Sequence, residues 1–98
     1  PHKESVFHIV EPDDDAQLIG AVNTVRRGEK GWQGANTDWC GILAVIAGLA
    51  VDVHSKDVLL FGAGGTARAM MHALSKTGLH KLYVCNRNAD RLDALLTF

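Results

Sequence analysis

The stretch Val58-Leu59-Leu60-Phe61-Gly62-Ala63-Gly64-Gly65-Thr66-Ala67 decides the fold. Four consecutive apolar residues, Val58 to Phe61, have strand length, and such a run predicts a parallel strand buried on both faces. Glycines follow at once. Thr66 to Lys76 then carries Ala67, Met70, Met71 and Leu74 at helical spacing, with Gly78 as the expected C-terminal cap. Leu82-Tyr83-Val84-Cys85 reads as a second apolar strand, and Ala89 to Leu96 as a second helix. Strand, helix, strand, helix predicts a βαβ unit with parallel strands.

The glycine segment matches G-x-G-x-x-A, a dinucleotide-binding fingerprint. Gly62 takes the tight turn, Gly64 lets the backbone approach a pyrophosphate, and Ala67 permits close helix–strand packing. The N–H groups of the first helical turn then face the anion. Gly62, Ala63, Gly64, Gly65 and Thr66 are therefore cofactor-binding candidates. Read without a ligand, the same loop is a structural turn. Its place between a strand and a helix favours the cofactor.

The second strand discriminates between cofactors. NAD-binding units place Asp or Glu about 20 residues after the glycines, on the ribose hydroxyl. This chain has Asn86-Arg87-Asn88 there, followed by Arg91. Arginine offers a 2′-phosphate a planar fork of donors, whereas a carboxylate would repel it. NADP is the expected cofactor, with Asn86, Arg87, Asn88 and Arg91 as further candidates. The bland alternative leaves both arginines as solvated charges beside a helix start.

Upstream, Ser5 to Val10 continues a short helix that Pro1 can open. Pro12 ends it, and Asp13-Asp14-Asp15 reads as an acidic cap for the next turn rather than a calcium loop. Ala21 to Arg26 reads as a strand, Gly28-Glu29-Lys30-Gly31 as a turn, and Trp32 to Ala35 as the returning strand of a hairpin. Asn36-Thr37-Asp38 offers caps for a helix through Ile42, Leu43, Ile46 and Leu49.

Composition narrows the function classes. The chain has 98 residues, 47% hydrophobic and 21% charged, which fits a globular domain rather than a disordered one. Its net charge of −1 argues against a nucleic-acid partner. No apolar run approaches about 18 residues, so no membrane span is expected. Cys40 and Cys85 lack metal or disulfide spacing and read as buried thiols of a reducing, cytoplasmic protein. The five histidines lack ligand spacing, so no metal site is expected.

Lys3, Asn23, Thr37 and Asp38 come from three separate segments, and each alone has a structural explanation: a surface lysine, a strand residue, helix caps. Spacing does not show that they meet. The motifs around them do carry a resemblance. Pro1-His2-Lys3 is similar to the end of the N-V-T-x-P-x-K motif of shikimate dehydrogenases. Gly20-Ala21-Val22-Asn23-Thr24 resembles their G-A-V-N-T motif, and Gly34-Ala35-Asn36-Thr37-Asp38 their G-x-N-T-D motif. Gly62-Ala63-Gly64-Gly65 with Arg68, then Asn86-Arg87, resembles their G-A-G-G-x-x-R and N-R-T motifs. Trp39 stands where the family usually has glycine. That form resembles the dehydrogenase domain of the fungal multifunctional shikimate-pathway polypeptide, which implies fusion to other pathway domains. Asn88 replaces the usual threonine.

The resemblance implies an α/β chain of two parts. Residues 1–50 would be the end of a substrate-binding α/β domain with its linking helix. Residues 51–98 would be the first βαβα part of a Rossmann NADP-binding domain. It implies reversible reduction of 3-dehydroshikimate to shikimate with NADPH. Lys3 and Asp38 become the catalytic pair, and Lys3, Asn23, Thr37 and Asp38 the substrate-binding set. Two other readings follow from the same resemblance: a quinate dehydrogenase, and a non-catalytic metabolite-sensing domain of a quinate-pathway regulator. The motifs also imply an internal fragment of a longer enzyme, inactive and marginally stable when isolated.

Overall fold

The computed structural model describes residues 2–97, so the helix-opening role expected of Pro1 lies outside the described residues. The element order is α1 (Lys3–Phe7), β1 (Glu11–Pro12), α2 (Asp14–Ile19), β2 (Thr24–Gly28) and β3 (Gly31–Ala35). It continues with α3 (Asp38–Gly48), β4 (Asp57–Phe61), α4 (Gly65–Ser75), β5 (Lys81–Cys85) and α5 (Ala89–Thr97). These form two sheets. The first has the order β1–β3–β2, with β2 and β3 antiparallel as a hairpin and β1 parallel to β3. The second pairs β4 and β5 in parallel, with Phe61 opposite Cys85. The expected βαβα unit is present.

Local chemistry explains the upstream elements. The acidic run does cap a helix: Asp13 Oδ1 accepts from the Ala16 N–H at 2.8 Å, at the start of α2. Two apolar clusters then hold the elements together. Ile19, Ala21 and Ala69 pack with Trp39 and Ile42, joining α2, α3 and α4. Ala63, Ala67 and Leu95 pack with Leu60, Met71 and Val84, seating α4 and α5 on the second sheet. Alanine at positions 21, 67 and 69 lets backbones approach closely at both seams.

Several expectations need correction. The first hairpin strand begins at Thr24 rather than Ala21, because Ala21 and Val22 are buried beneath the helices and the Val22 N–H donates to the Lys3 carbonyl at 2.8 Å. The run Val58–Phe61 is not buried on both faces. Side chains alternate along a strand, and α4 and α5 cover only the face carrying Leu60 and Val84. Leu59, Phe61 and Tyr83 on the other face are 57%, 74% and 51% exposed. Cys85 ends on that open face and Cys40 on the outer side of α3, so both thiols are exposed rather than buried. The cap of α4 is Lys76, with Gly78 two residues beyond it.

Gly34, buried in the middle of β3, sits where chains cross most tightly. A Cβ there would lie 2.5 Å from Val10 Cγ2 and 2.9 Å from Val22 Cγ2. Both valines are stiff at χ1. Gly34→Ala is expected to lower the unfolding free energy by about 1–3 kcal/mol through overpacking. The check is a lower urea midpoint at unchanged slope; a midpoint equal to that of the unaltered chain would show that Val10 yields at no cost.

Candidate active site

The hairpin, the turn after α2 and the start of α3 converge on Asp38. Asn36 is the organiser. It is 3% exposed, donates from Nδ2 to the Ala21 carbonyl at 3.0 Å, and accepts the Asp38 N–H on Oδ1 at 3.0 Å. Its amide is satisfied on both sides, as a buried polar group requires. The capping expected of Asn36-Thr37-Asp38 therefore falls on Asn36, since Thr37 occupies the N-cap position without a side-chain bond into the helix.

Asn23 then clasps the same turn. Its Nδ2 donates to Asp38 Oδ1 at 2.7 Å and to Thr37 Oγ1 at 3.2 Å, and its Oδ1 accepts the Thr37 N–H at 3.1 Å. The other carboxylate oxygen, Asp38 Oδ2, accepts from Lys3 Nζ. The structure thus brings Lys3, Asn23, Thr37 and Asp38 into one connected group, 35 residues apart at the extremes. The Lys3 side chain is 35% exposed and that of Asp38 26%. The pair is partly desolvated but remains reachable.

Electrostatics follow from the contacts. The Lys3 ammonium bonded to Asp38 holds its carboxyl below the usual carboxylate range. Burial opposes this, and the Asn23 amide reinforces it. Asp38 is therefore a carboxylate at neutral pH. A carboxyl lowered on folding adds stability above its unfolded pKa of about 3.9, and that stability is lost as pH falls through the lower folded value. Urea midpoints should fall with pH below about 4. Asp38→Asn should flatten that acid slope, and an unchanged slope would show that this carboxylate carries no such linkage.

The glycine loop reaches the same place from the other sheet. Parallel pairing of Phe61 with Cys85 releases both chains at one sheet edge, where the Gly62 N–H donates to the Cys85 carbonyl at 2.8 Å. Gly62 turns there at φ +112°, a backbone conformation that side chains resist. Gly64 is the N-cap of α4 and has no side chain to occupy the first-turn N–H groups. No atom lies within 4 Å of where a Cβ on Gly64 would stand. Open space before uncapped donors suits a pyrophosphate.

Lys3 borders this loop. A Cβ on Gly65 would lie 3.2 Å from Lys3 Cβ. One cleft of about 560 Å³ is lined by Lys3, Glu4, Ser5, Gly64, Gly65, Thr66 and Arg91. Arg91 thus faces the loop across the cleft, whereas Arg87 is exposed just beyond β5. Asn86 Nδ2 donates to the Asn88 carbonyl at 2.9 Å, and Asn88 Oδ1 accepts the Arg91 N–H at 3.0 Å. In this structure Asn88 caps the first turn of α5 through the Arg91 backbone. Among the described residues no group of three or more His, Cys, Asp or Glu side chains is arranged to hold a metal. No helix among them is long and apolar enough to cross a membrane.

Sequence reading passed over two features of this region. His72 of α4 pairs with Asp15 of α2, and Trp39, next to Asp38, packs edge-on against the His72 ring. The position of His72 three residues after the apolar Ala69 was the available signal, because residues three apart share a helix face.

Comparison with known proteins gives a consistent result. The family model described as shikimate / quinate 5-dehydrogenase matches residues 45–97. The shikimate dehydrogenase (NADP(+)) of Thermotoga maritima is 45% identical over 95 residues, covering 97% of this chain and 35% of that protein. The crystal structure of shikimate dehydrogenase from Aquifex aeolicus superposes with a TM-score of 0.88 at 38% identity, covering 99% of this chain and 36% of the other. The shikimate 5-dehydrogenase of Thermus thermophilus, in complex with NADP(H) and shikimate, gives 0.82 at 37% identity, over 99% of this chain and 37% of the other. The chain spans about a third of the length of the curated relatives it matches.

Proposed function

Because the chain belongs to the shikimate / quinate 5-dehydrogenase family, we propose that it carries the proton-transfer pair and the cofactor loop of an NADP-dependent shikimate dehydrogenase. The reaction is the reversible reduction of 3-dehydroshikimate to shikimate, and the activity is proposed for the complete encoded polypeptide. The observation that carries the reading is that Lys3, bonded to Asp38, lines one cleft with the Gly64–Thr66 loop. The cofactor is NADP, as in the named relatives. Residues 1–50 then serve the substrate and residues 51–98 the cofactor. Fusion to further pathway domains belongs to the same reading, and the intact mass of the encoded polypeptide tests it.

Reduction of a ketone to a secondary alcohol adds a hydride to carbon and a proton to oxygen. The dihydronicotinamide supplies the hydride when bound. The proton falls to this chain. Lys3 Nζ, an ammonium beside an ionised carboxylate, donates to the oxygen as negative charge develops there, and takes the proton back in oxidation. Asp38 holds that ammonium through Oδ2. Its Oδ1, already bonded to Asn23, keeps the carboxylate plane fixed. Asn23 and Thr37 present amide and hydroxyl groups for ring hydroxyls. A site that hydrogen-bonds ring hydroxyls discriminates against analogues lacking them.

The test is formation of reduced cofactor by the complete polypeptide on shikimate and on quinate, NADPH from NADP+ and NADH from NAD+. Fastest turnover on shikimate with NADP+ is expected. Faster turnover on quinate would make it a quinate dehydrogenase. Shikimate binding with neither NADPH nor NADH formed would make it a metabolite sensor.

A further inference from the structure

We propose that His72 is a positioning residue that sets the gap between the Lys3–Asp38 pair and the cofactor loop. The inference rests on the reading just given and adds to it the part that holds the two halves in register.

Three elements meet at the His72 ring. Its side chain is only 8% exposed, and Nε2 lies 3.0 Å from Asp15 Oδ1 on α2. A carboxylate can only accept, so Nε2 carries the hydrogen. The Trp39 ring of α3 stands edge-on to the imidazole, 5.2 Å between centroids at 89°. One turn back on α4, Ala69 is fully buried against Ile19, Ala21, Trp39 and Ile42. The apolar seam lets α4 slide or rotate, because dispersion contacts are non-directional. The directional Nε2–H···Oδ1 bond and the flat Trp39 edge fix the register.

Each partner of His72 is coupled to the proposed chemistry through rigid backbone. Trp39 is the residue after Asp38. Asp15 lies in the first turn of α2, whose far end leads through Gly20 into Ala21-Val22-Asn23. There the Val22 N–H holds the Lys3 carbonyl and Asn23 holds Asp38. His72 itself lies seven residues along α4 from Gly65, about 10 Å at 1.5 Å per residue. A helix pinned at that distance cannot tilt its N-terminus freely. Hydride transfer depends steeply on the separation of the reacting atoms, and a misplacement of about 1 Å can cost about 10²-fold.

The experiment compares the complete polypeptide with His72→Ala, His72→Gln, Asp15→Ala and the double variant His72→Ala/Asp15→Ala. Turnover is counted per NADP+-binding site, so that partial unfolding lowers the number of sites and not kcat. His72→Ala is expected to lower kcat per site about 10-fold, with both KM values within about twofold, because each half-site stays intact while their alignment is lost. Gln keeps a donor near the Nε2 position and should restore most of the loss. Asp15→Ala, at the more exposed end, should reproduce the loss, and the double variant should add nothing, since coupled residues are non-additive. Amide hydrogen exchange at residues 68–72, the first hydrogen-bonded amides of α4, should rise in His72→Ala and in Asp15→Ala, a readout that needs no turnover. Unchanged kcat per site in His72→Ala, no rescue by Gln, additive losses, or unchanged exchange in His72→Ala and Asp15→Ala overturns the proposal. No turnover by the unaltered polypeptide would instead sink the dehydrogenase reading, and exchange would still decide the role of His72.

Discussion

Lys3→Ala is expected to lower turnover of the complete polypeptide by about 10²–10⁴-fold, the usual contribution of a positioned general acid–base. NADP+ affinity should stay near that of the unaltered protein. The asymmetry follows from the geometry. Lys3 Nζ is bonded to Asp38, and only the aliphatic part of the side chain lies against Gly65. Removing the ammonium takes away the proton that must reach the alkoxide oxygen, while the first-turn N–H groups of α4 are untouched. The Asp38 carboxylate loses its main charge partner, so its pKa should move back toward the ordinary range. Loss of kcat at constant NADP+ dissociation constant, measured by fluorescence titration, is the expected signature. Full retention of turnover would remove Lys3 from the proton-transfer role. A parallel loss of cofactor binding would make its contact with the glycine loop the more important one.

Arg87→Ala is expected to raise the KM for NADP+ about 10- to 100-fold, since charge-assisted hydrogen bonds are worth about 1.5–3 kcal/mol. NAD+ has no 2′-phosphate, so its KM should change little, and selectivity should fall by the same factor. Arg87 is exposed beyond β5, next to the edge where the Gly62 turn leaves β4. It is free to close on a phosphate there. Arg91, in the capped first turn of α5, already lines the cleft. Arg87→Ala/Arg91→Ala should therefore lose more than either change alone. An NADP+ KM unaffected by Arg87→Ala would shift 2′-phosphate recognition to Arg91. Raising the ionic strength should weaken NADP+ binding by the unaltered protein more than by the double variant, because exposed charges are screened.

The fold was largely legible. An apolar run, a glycine loop and a helical repeat are local patterns, and each was read within a few residues of its observed bounds. The hairpin was legible for the same reason, although its first strand starts three residues later than alternation suggested. Alternation in Ala21-Val22 could not reveal that Ala21 packs against Ala69 of α4 and that the Val22 N–H bonds the Lys3 carbonyl rather than a ladder partner. The open face of the second sheet was misread because four apolar residues in a row look the same whether one face is covered or two. Both exposed cysteines were missed through that ambiguity and through the usual preference of free cysteine for the interior.

The candidate site divides along the same line. Its glycine loop is contiguous, so residue order alone identified it. The group of Lys3, Asn23, Thr37 and Asp38 is assembled from three segments, and only the motif resemblance anticipated the meeting. The bonds Asn36–Ala21, Asn23–Asp38 and His72–Asp15 join residues 15, 15 and 57 positions apart. No periodicity encodes such pairs.

By itself, the sequence determined the parallel βαβα unit, the hairpin and the glycine turn. Those depend on backbone sterics and on side-chain spacings of two, three and four residues. Only the tertiary structure decided that Lys3 reaches Asp38, that Arg91 rather than Arg87 lines the cleft, and that His72 ties α4 to α2 beside Trp39. Those depend on which helices share a seam. That choice is made by packing Ile19, Ala21 and Ala69 together against the entropy of closing the loops between them.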